Sequence, residues 1–154
     1  MGTILTLDDV FLEGKTVLLR IDGNSPLHPI NNSFLDDSRL KGVIPTINRL
    51  SKTKLIILLH QSRPGKKDFT TTSGHAREFQ RLLGKTVKFV EDICGQKAMS
   101  AIEELKDGDI LILNNVRMND EELQIKTNNF EEQTETNFVQ KLSSIADIFV
   151  NDAF

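Results

Sequence analysis

Five short apolar runs, separated by segments of helical pattern, constrain this chain more than any other feature. The runs are Thr16–Asp22, Lys54–His60, Thr86–Val90, Asp109–Leu113 and Asp147–Asn151. Each is strand-sized, rich in Val, Ile, Leu or Phe, and bounded by turn-forming residues. Between the first two, Arg39 to Leu50 places Leu40, Val43, Ile44, Ile47 and Leu50 on one helical stripe. Asp37-Ser38 is a capping pair for that helix, and Pro45 inside it predicts a kink or a later start. A second helix is expected near Ser73 to Leu83, stopped by Gly84, and a third from Gln96 to Leu105. The turn Lys106-Asp107-Gly108 introduces the fourth strand. A polar stretch, Asn119 to Asn129, leads to a helix around Glu132 to Ile145. Strands alternating with helices give right-handed crossovers and a parallel sheet buried on both faces. The expected fold is therefore α/β: a three-layer, doubly wound (Rossmann-like) parallel sheet with helices on both faces. At 154 residues, with no linker or internal repeat, residues 1–154 read as one domain.

Composition narrows the possible partners. Hydrophobic residues at 38% and charged residues at 27% suit a globular chain and are too apolar for disorder. A net charge of -3 offers no global field for nucleic acid or an anionic membrane, so an anion site must be a local cluster. The apolar runs are too short to span a bilayer, and the expectation is a cytoplasmic chain with no membrane partner. One cysteine, Cys94, excludes an intramolecular disulfide and a Cys-rich metal site, and it reads as a small buried hydrophobe. In a cytosolic chain the sequon Asn31-Asn32-Ser33 is a chance match.

The topology turns the strand ends into a spatial argument, because ligands of open parallel sheets bind beyond the carboxyl ends of the strands. The first strand ends in Asp22-Gly23-Asn24 and the second in His60-Gln61-Ser62-Arg63. The fourth ends in Asn114-Asn115-Val116-Arg117, the fifth in Asn151-Asp152, and Arg39 opens the first helix at the same edge. His60 and Arg63 read as a cationic pair. Taken singly, each arginine reads as a solvated loop residue, Asp22 as an Asx turn and His60 as a packed imidazole. Their convergence is what points to a small phosphorylated or carboxylated anion.

Competing motifs lack their context. Gly14-Lys15-Thr16 precedes a strand, whereas a phosphate-binding loop must follow one. There is no Gly-x-Gly-x-x-Gly and no nucleophile elbow, and His28, His60 and His75 are scattered. Glu121-Glu122 and Glu131-Glu132 read as solvated.

Six ordered segments resemble the phosphoglycerate kinase family. Leu19-Arg20-Ile21-Asp22-Gly23-Asn24-Ser25-Pro26 is similar to its Arg-[Val/Ile]-Asp-x-Asn-x-Pro motif. Asp37-Ser38-Arg39 with Ile44-Pro45-Thr46-Ile47 resembles its first helix, and His60-Gln61-Ser62-Arg63-Pro64 its His-x-x-Arg-Pro loop. Val90-Glu91-Asp92-Ile93-Cys94-Gly95, Leu113-Asn114-Asn115-Val116-Arg117 and Val150-Asn151-Asp152-Ala153-Phe154 resemble three further strand exits. The resemblance implies the family's amino-terminal domain, which binds 3-phosphoglycerate or 1,3-bisphosphoglycerate. It implies that Asp22 and Asn24 hold the glycerate hydroxyl and carboxylate, with Gly23 also substrate-binding. His60, Arg63 and Arg117 would hold the non-transferred phosphate, Gln61 and Ser62 would also be substrate-binding, and Arg39 would face the phosphoryl group in flight as the catalytic cation. Mg2+ with ADP or ATP would bind a separate carboxy-terminal domain that is missing from this sequence, so the chain alone should bind neither and should not turn over. Asn114 departs from the family's usual Glu, which removes a charge beside Arg117. The alternative is a stand-alone module that binds a small anion without catalysis.

Overall fold

The computed structural model describes residues 3–124, 127 and 129–153. Five strands form one sheet in the order β3-β4-β2-β1-β5. They are β1 (Thr16–Ile21), β2 (Lys54–Leu58), β3 (Lys88–Phe89), β4 (Ile110–Ile112) and β5 (Ile148–Asp152). Every strand pair is parallel. The helices are α1 (Ser38–Arg49), α2 (Ser73–Leu83), α3 (Gln96–Glu103), α4 (Asp120–Gln124), α5 (Phe130–Glu135) and α6 (Asn137–Ile145), with a 3-10 turn at Val116–Met118.

Strand alternation explains the layers. Val17, Leu19 and Ile21 of β1 and Leu55 and Ile57 of β2 pack with Leu40, Val43 and Ile47 of α1 and Phe79 of α2. Leu18, Ile56, Leu58 and Leu111 point the other way, onto Ala98 and Ile102 of α3 and Leu142 of α6. A strand buried on both sides must be apolar throughout, which is why these runs show no polar alternation. The α/β fold with helices on both faces is the expected one.

The differences have local causes. β3 is two residues long where Thr86–Val90 was expected, and it pairs with β4 at the sheet edge. α1 begins at Ser38 and runs through Pro45, so the proline does not delay it. Asp37 occupies the cap position without a capping bond. Its carboxylate instead pairs with Lys41 at 2.9 Å and Arg81 at 2.9 Å, joining α1 to α2. Gly84 ends α2 in the left-handed region at φ 65°, as a glycine stop should. The expected helix Glu132–Ile145 is two helices, because Thr136 turns extended and its hydroxyl caps α6 through Val139 N–H. Glu131 and Glu132 are exposed as expected, and Glu132 also closes a capping box with Asn129. Glu121, in the stretch expected to be non-helical, lies on α4 and accepts from the N–H groups of Asn137 and Phe138. Ile125, Lys126, Asn128 and Phe154, from segments named above, lie outside the described residues.

Candidate anion site at the carboxyl edge of the sheet

Two adjoining clefts open beyond the carboxyl ends of β1, β2 and β4. One, of about 450 Å³, is lined by Asn24, His60, Ser62, Arg63, Lys66, Asp68 and Arg117. The other, of about 320 Å³, is lined by Arg20, Asp22, Asn24, Arg39, His60 and Asn151 among others. Asn24 and His60 belong to both. Five cationic side chains and two carboxylates therefore surround the pair of clefts in a chain whose net charge is -3. A larger cavity, of about 650 Å³, is elsewhere: an apolar groove between β5 and α6 lined by Leu18, Phe138 and Leu142 among others.

Register places the first cleft residues. Arg20 pairs with Leu58, and both point toward the α3–α6 face with Leu18. Two residues past Leu58 the same parity puts His60 beside Arg20, with His60 Nδ1 3.2 Å from Arg20 Nη2. A guanidinium only donates, so Nδ1 accepts and the ring proton stands on Nε2. Burial, then the charges of Arg117 and Arg20, push the His60 pKa down to about 4. His60 is therefore neutral near pH 7 and carries its one ring proton on Nε2, which corrects the reading of His60 and Arg63 as a cationic pair.

The remaining cations differ in how they are held. Arg39 is paired with Asp22. Arg117 Nη1 donates to the carbonyl of Ser62 at 3.2 Å, and Arg63 is exposed at the rim. Ser62 is left-handed at φ 59°, an uncommon state for a residue with a Cβ. Its N–H donates to Asn24 Oδ1 at 2.9 Å and its hydroxyl to Asp68 at 2.6 Å. These bonds over-determine the bend and keep Asn24 beside His60.

Gln61 is not at the surface. It is 0% exposed, with Oε1 accepting from Ser25 N–H and Nε2 donating to Ser25 O. It joins the β1 and β2 exits from behind, so a direct anion contact through its side chain is excluded in this geometry. Gly23 is also buried. Asn114 Oδ1 accepts from the N–H groups of Asn115 at 2.8 Å and Thr72 at 3.4 Å, an acceptor role that a carboxylate would also fill. Asp152 is turned away, accepting from the Thr46 hydroxyl on α1.

Four contributors escaped sequence reasoning. Arg20 belongs to a buried strand, and a single arginine within an apolar run is the signal that could have exposed it. Lys66 and Asp68 sit in an irregular loop with no periodicity to place them. Asn115 is 0% exposed and holds three segments together. Its Nδ2 donates to Gln61 O at 2.8 Å and Thr70 O at 2.9 Å, while Oδ1 accepts from Arg117 N–H at 3.2 Å.

The comparisons with known proteins agree among themselves. A family model described as phosphoglycerate kinase matches residues 7–154. The phosphoglycerate kinase of Methanocorpusculum labreanum is 47% identical over 150 residues, covering 97% of this chain and 36% of that relative. The one from Methanobacterium bryantii is 49% identical over 151 residues, with the same 97% and 36% coverage. The crystal structure of phosphoglycerate kinase from Pyrococcus horikoshii OT3 superposes with a TM-score of 0.90 at 41% identity, over 97% of this chain and 36% of that one. The structure from Coxiella burnetii gives 0.73 at 25% identity, over 98% and 36%. The chain thus spans about 36% of the length of the relatives it matches.

Proposed function

The chain belongs to the phosphoglycerate kinase family, and on that premise we propose that its paired clefts receive 3-phosphoglycerate or 1,3-bisphosphoglycerate. The observation that carries this is the shape of the charge: two cation-lined clefts that share His60 and Asn24. Such a site suits a short molecule with an anionic group at each end. The non-transferred phosphate lies with Arg63, Arg117 and the Nε2–H of His60, and Ser62 frames that cleft through its backbone. The glycerate hydroxyl and carboxyl end lies with Asp22 and Asn24, beside Arg20. Arg39 turns from Asp22 toward the phosphoryl group being transferred.

The reaction proposed for the whole enzyme is reversible transfer of the acyl phosphate of 1,3-bisphosphoglycerate to ADP, giving 3-phosphoglycerate and ATP. Such a transfer needs positioning and charge neutralisation more than a protein nucleophile. Mg2+ and the nucleotide are assigned to the part of the relatives that this chain does not match. This chain alone is accordingly expected to bind substrate without turnover.

The test is a titration of the 15N-labelled chain with 3-phosphoglycerate at two salt concentrations. Asp22, Asn24, Arg39, His60, Arg63 and Arg117 should shift together, and more weakly at high salt, since exposed charges are screened over about 8 Å at physiological ionic strength. Shifts clustered elsewhere, or a stronger response of the same residues to ATP, would refute the assignment.

A further inference from the structure

His75 stands behind the site on the first turn of α2 and is 1% exposed. Its Nε2 lies 2.9 Å from the carbonyl oxygen of Gly23. A carbonyl only accepts, so Nε2 carries the proton and Nδ1 keeps a bare lone pair. Among the described residues Nδ1 has no hydrogen-bond partner. The ring packs against Phe34 in a T-shaped arrangement at a centroid distance of 4.9 Å. A buried imidazole with one nitrogen unsatisfied is costly, and the bond to Gly23 is what it provides in return.

Gly23 is where the site leaves the sheet. The last β1–β5 pair is Ile21 with Asp152, so residue 23 lies beyond the ladder. The segment is pressed against the end of β2: a Cβ on residue 23 would stand 2.9 Å from Leu59 Cδ1 and 3.5 Å from His75 Cδ2. On either side, Asp22 pairs with Arg39 and Asn24 accepts from Ser62 N–H. We propose that His75 is a positioning residue for the anion site, its Nε2–H clamping the Gly23 carbonyl and so setting the directions in which Asp22 and Asn24 leave the chain. This rests on the reading of Asp22 and Asn24 as the groups that take the glycerate end of the substrate.

The experiment uses this chain as wild type, His75→Leu and His75→Gln, with two readouts. The first is the affinity for 3-phosphoglycerate. Leucine removes the donor and should weaken binding about 3- to 10-fold, the effect of one hydrogen bond, while glutamine restores a donor and should recover most of it. The second is NMR. In wild type, His75 should show a protonated Nε2 and an unprotonated Nδ1. His75→Leu should move the 15N signal of Asn24, whose amide nitrogen is bonded to the Gly23 carbonyl carbon. A protonated Nδ1 in wild type would overturn the clamp even if neither variant folds. So would wild-type affinity in folded His75→Leu, or an equal loss in both variants. If wild type binds no 3-phosphoglycerate, the substrate reading fails. The Asn24 signal then still decides the clamp, and no change there refutes it.

Discussion

Arg20 Nη2 and His60 Nδ1 lie 3.2 Å apart across the β1–β2 pair, so a permanent cation donates to the imidazole that the two clefts share. Protonating His60 would break that bond and add a charge beside Arg20, Arg117 and Arg39. The centre of the site is therefore built for a neutral histidine.

Stability should fall as pH drops from about 6.5 toward 4. His60 and His75 both have folded pKa values of about 4, below the ordinary 6.5, and in each the first cause is burial. Between those values the unfolded chain binds more protons, so the stabilisation is complete above 6.5 and is lost as pH falls to 4. The slope is at most about 1.4 kcal/mol per pH unit per histidine, and half-exposed His60 contributes less. Urea titrations at pH 7, 5.5 and 4.5 measure it. His75→Gln should flatten part of the slope, and equal midpoints at all three pH values would contradict the prediction.

Asn115→Ala should cost about 2–4 kcal/mol. It strips the buried carbonyl of Gln61 and the half-buried carbonyl of Thr70 of their donor and removes an acceptor from Arg117 N–H. Asn115→Asp should be at least as damaging, because a carboxylate cannot donate to either carbonyl. Chemical denaturation reads the effect, and a loss under about 0.5 kcal/mol would show that the amide is dispensable.

Gly23→Ala should destabilise by about 1–3 kcal/mol through overpacking, since its Cβ would meet Leu59 Cδ1 at 2.9 Å. Shortening the obstacle in Gly23→Ala/Leu59→Val should return part of the loss beyond what Leu59→Val alone predicts. A double-mutant cycle with no coupling would show that the close approach carries no energy.

Arg39 and Arg63 should separate kinetically once this chain replaces the matching part of a full-length relative. The phosphate assigned to Arg63 keeps its charge during reaction, so Arg63→Ala should act mainly on KM. Arg39 is assigned to the group in flight, where a planar cation stabilises the transition state more than the ground state. Arg39→Ala should lower kcat by at least about 100-fold, and Arg39→Lys should recover only a part. Steady-state kinetics decide: a near-normal kcat with lost affinity would place Arg39 among the static anion contacts.

Apolar continuity and turn residues determined much of this protein from sequence alone. Thr16–Asp22 and Lys54–His60 could only be strands covered on both faces, and helices between them forced a parallel sheet. That sheet in turn placed Asp22, His60, Arg63 and Arg117 at one edge. The break at Thr136 and the start at Asn129 were missed although their caps act three residues away. The contact of Glu121 with the N–H groups of Asn137 and Phe138 was not legible, because it spans 16 and 17 residues.

The sequence by itself thus determined that Asp22, Asn24, Arg39, His60, Arg63 and Arg117 reach the rim, because strand period and chain direction are local properties of the backbone. Tertiary structure alone decided what each does there. Burial and three neighbouring arginines make His60 neutral, packing behind the sheet turns Gln61 and Asn115 into braces, and α2 delivers His75 to the Gly23 carbonyl across 52 residues of chain. Protonation state and hydrogen-bond partner are set by distances between segments remote in sequence, and no local pattern records those distances.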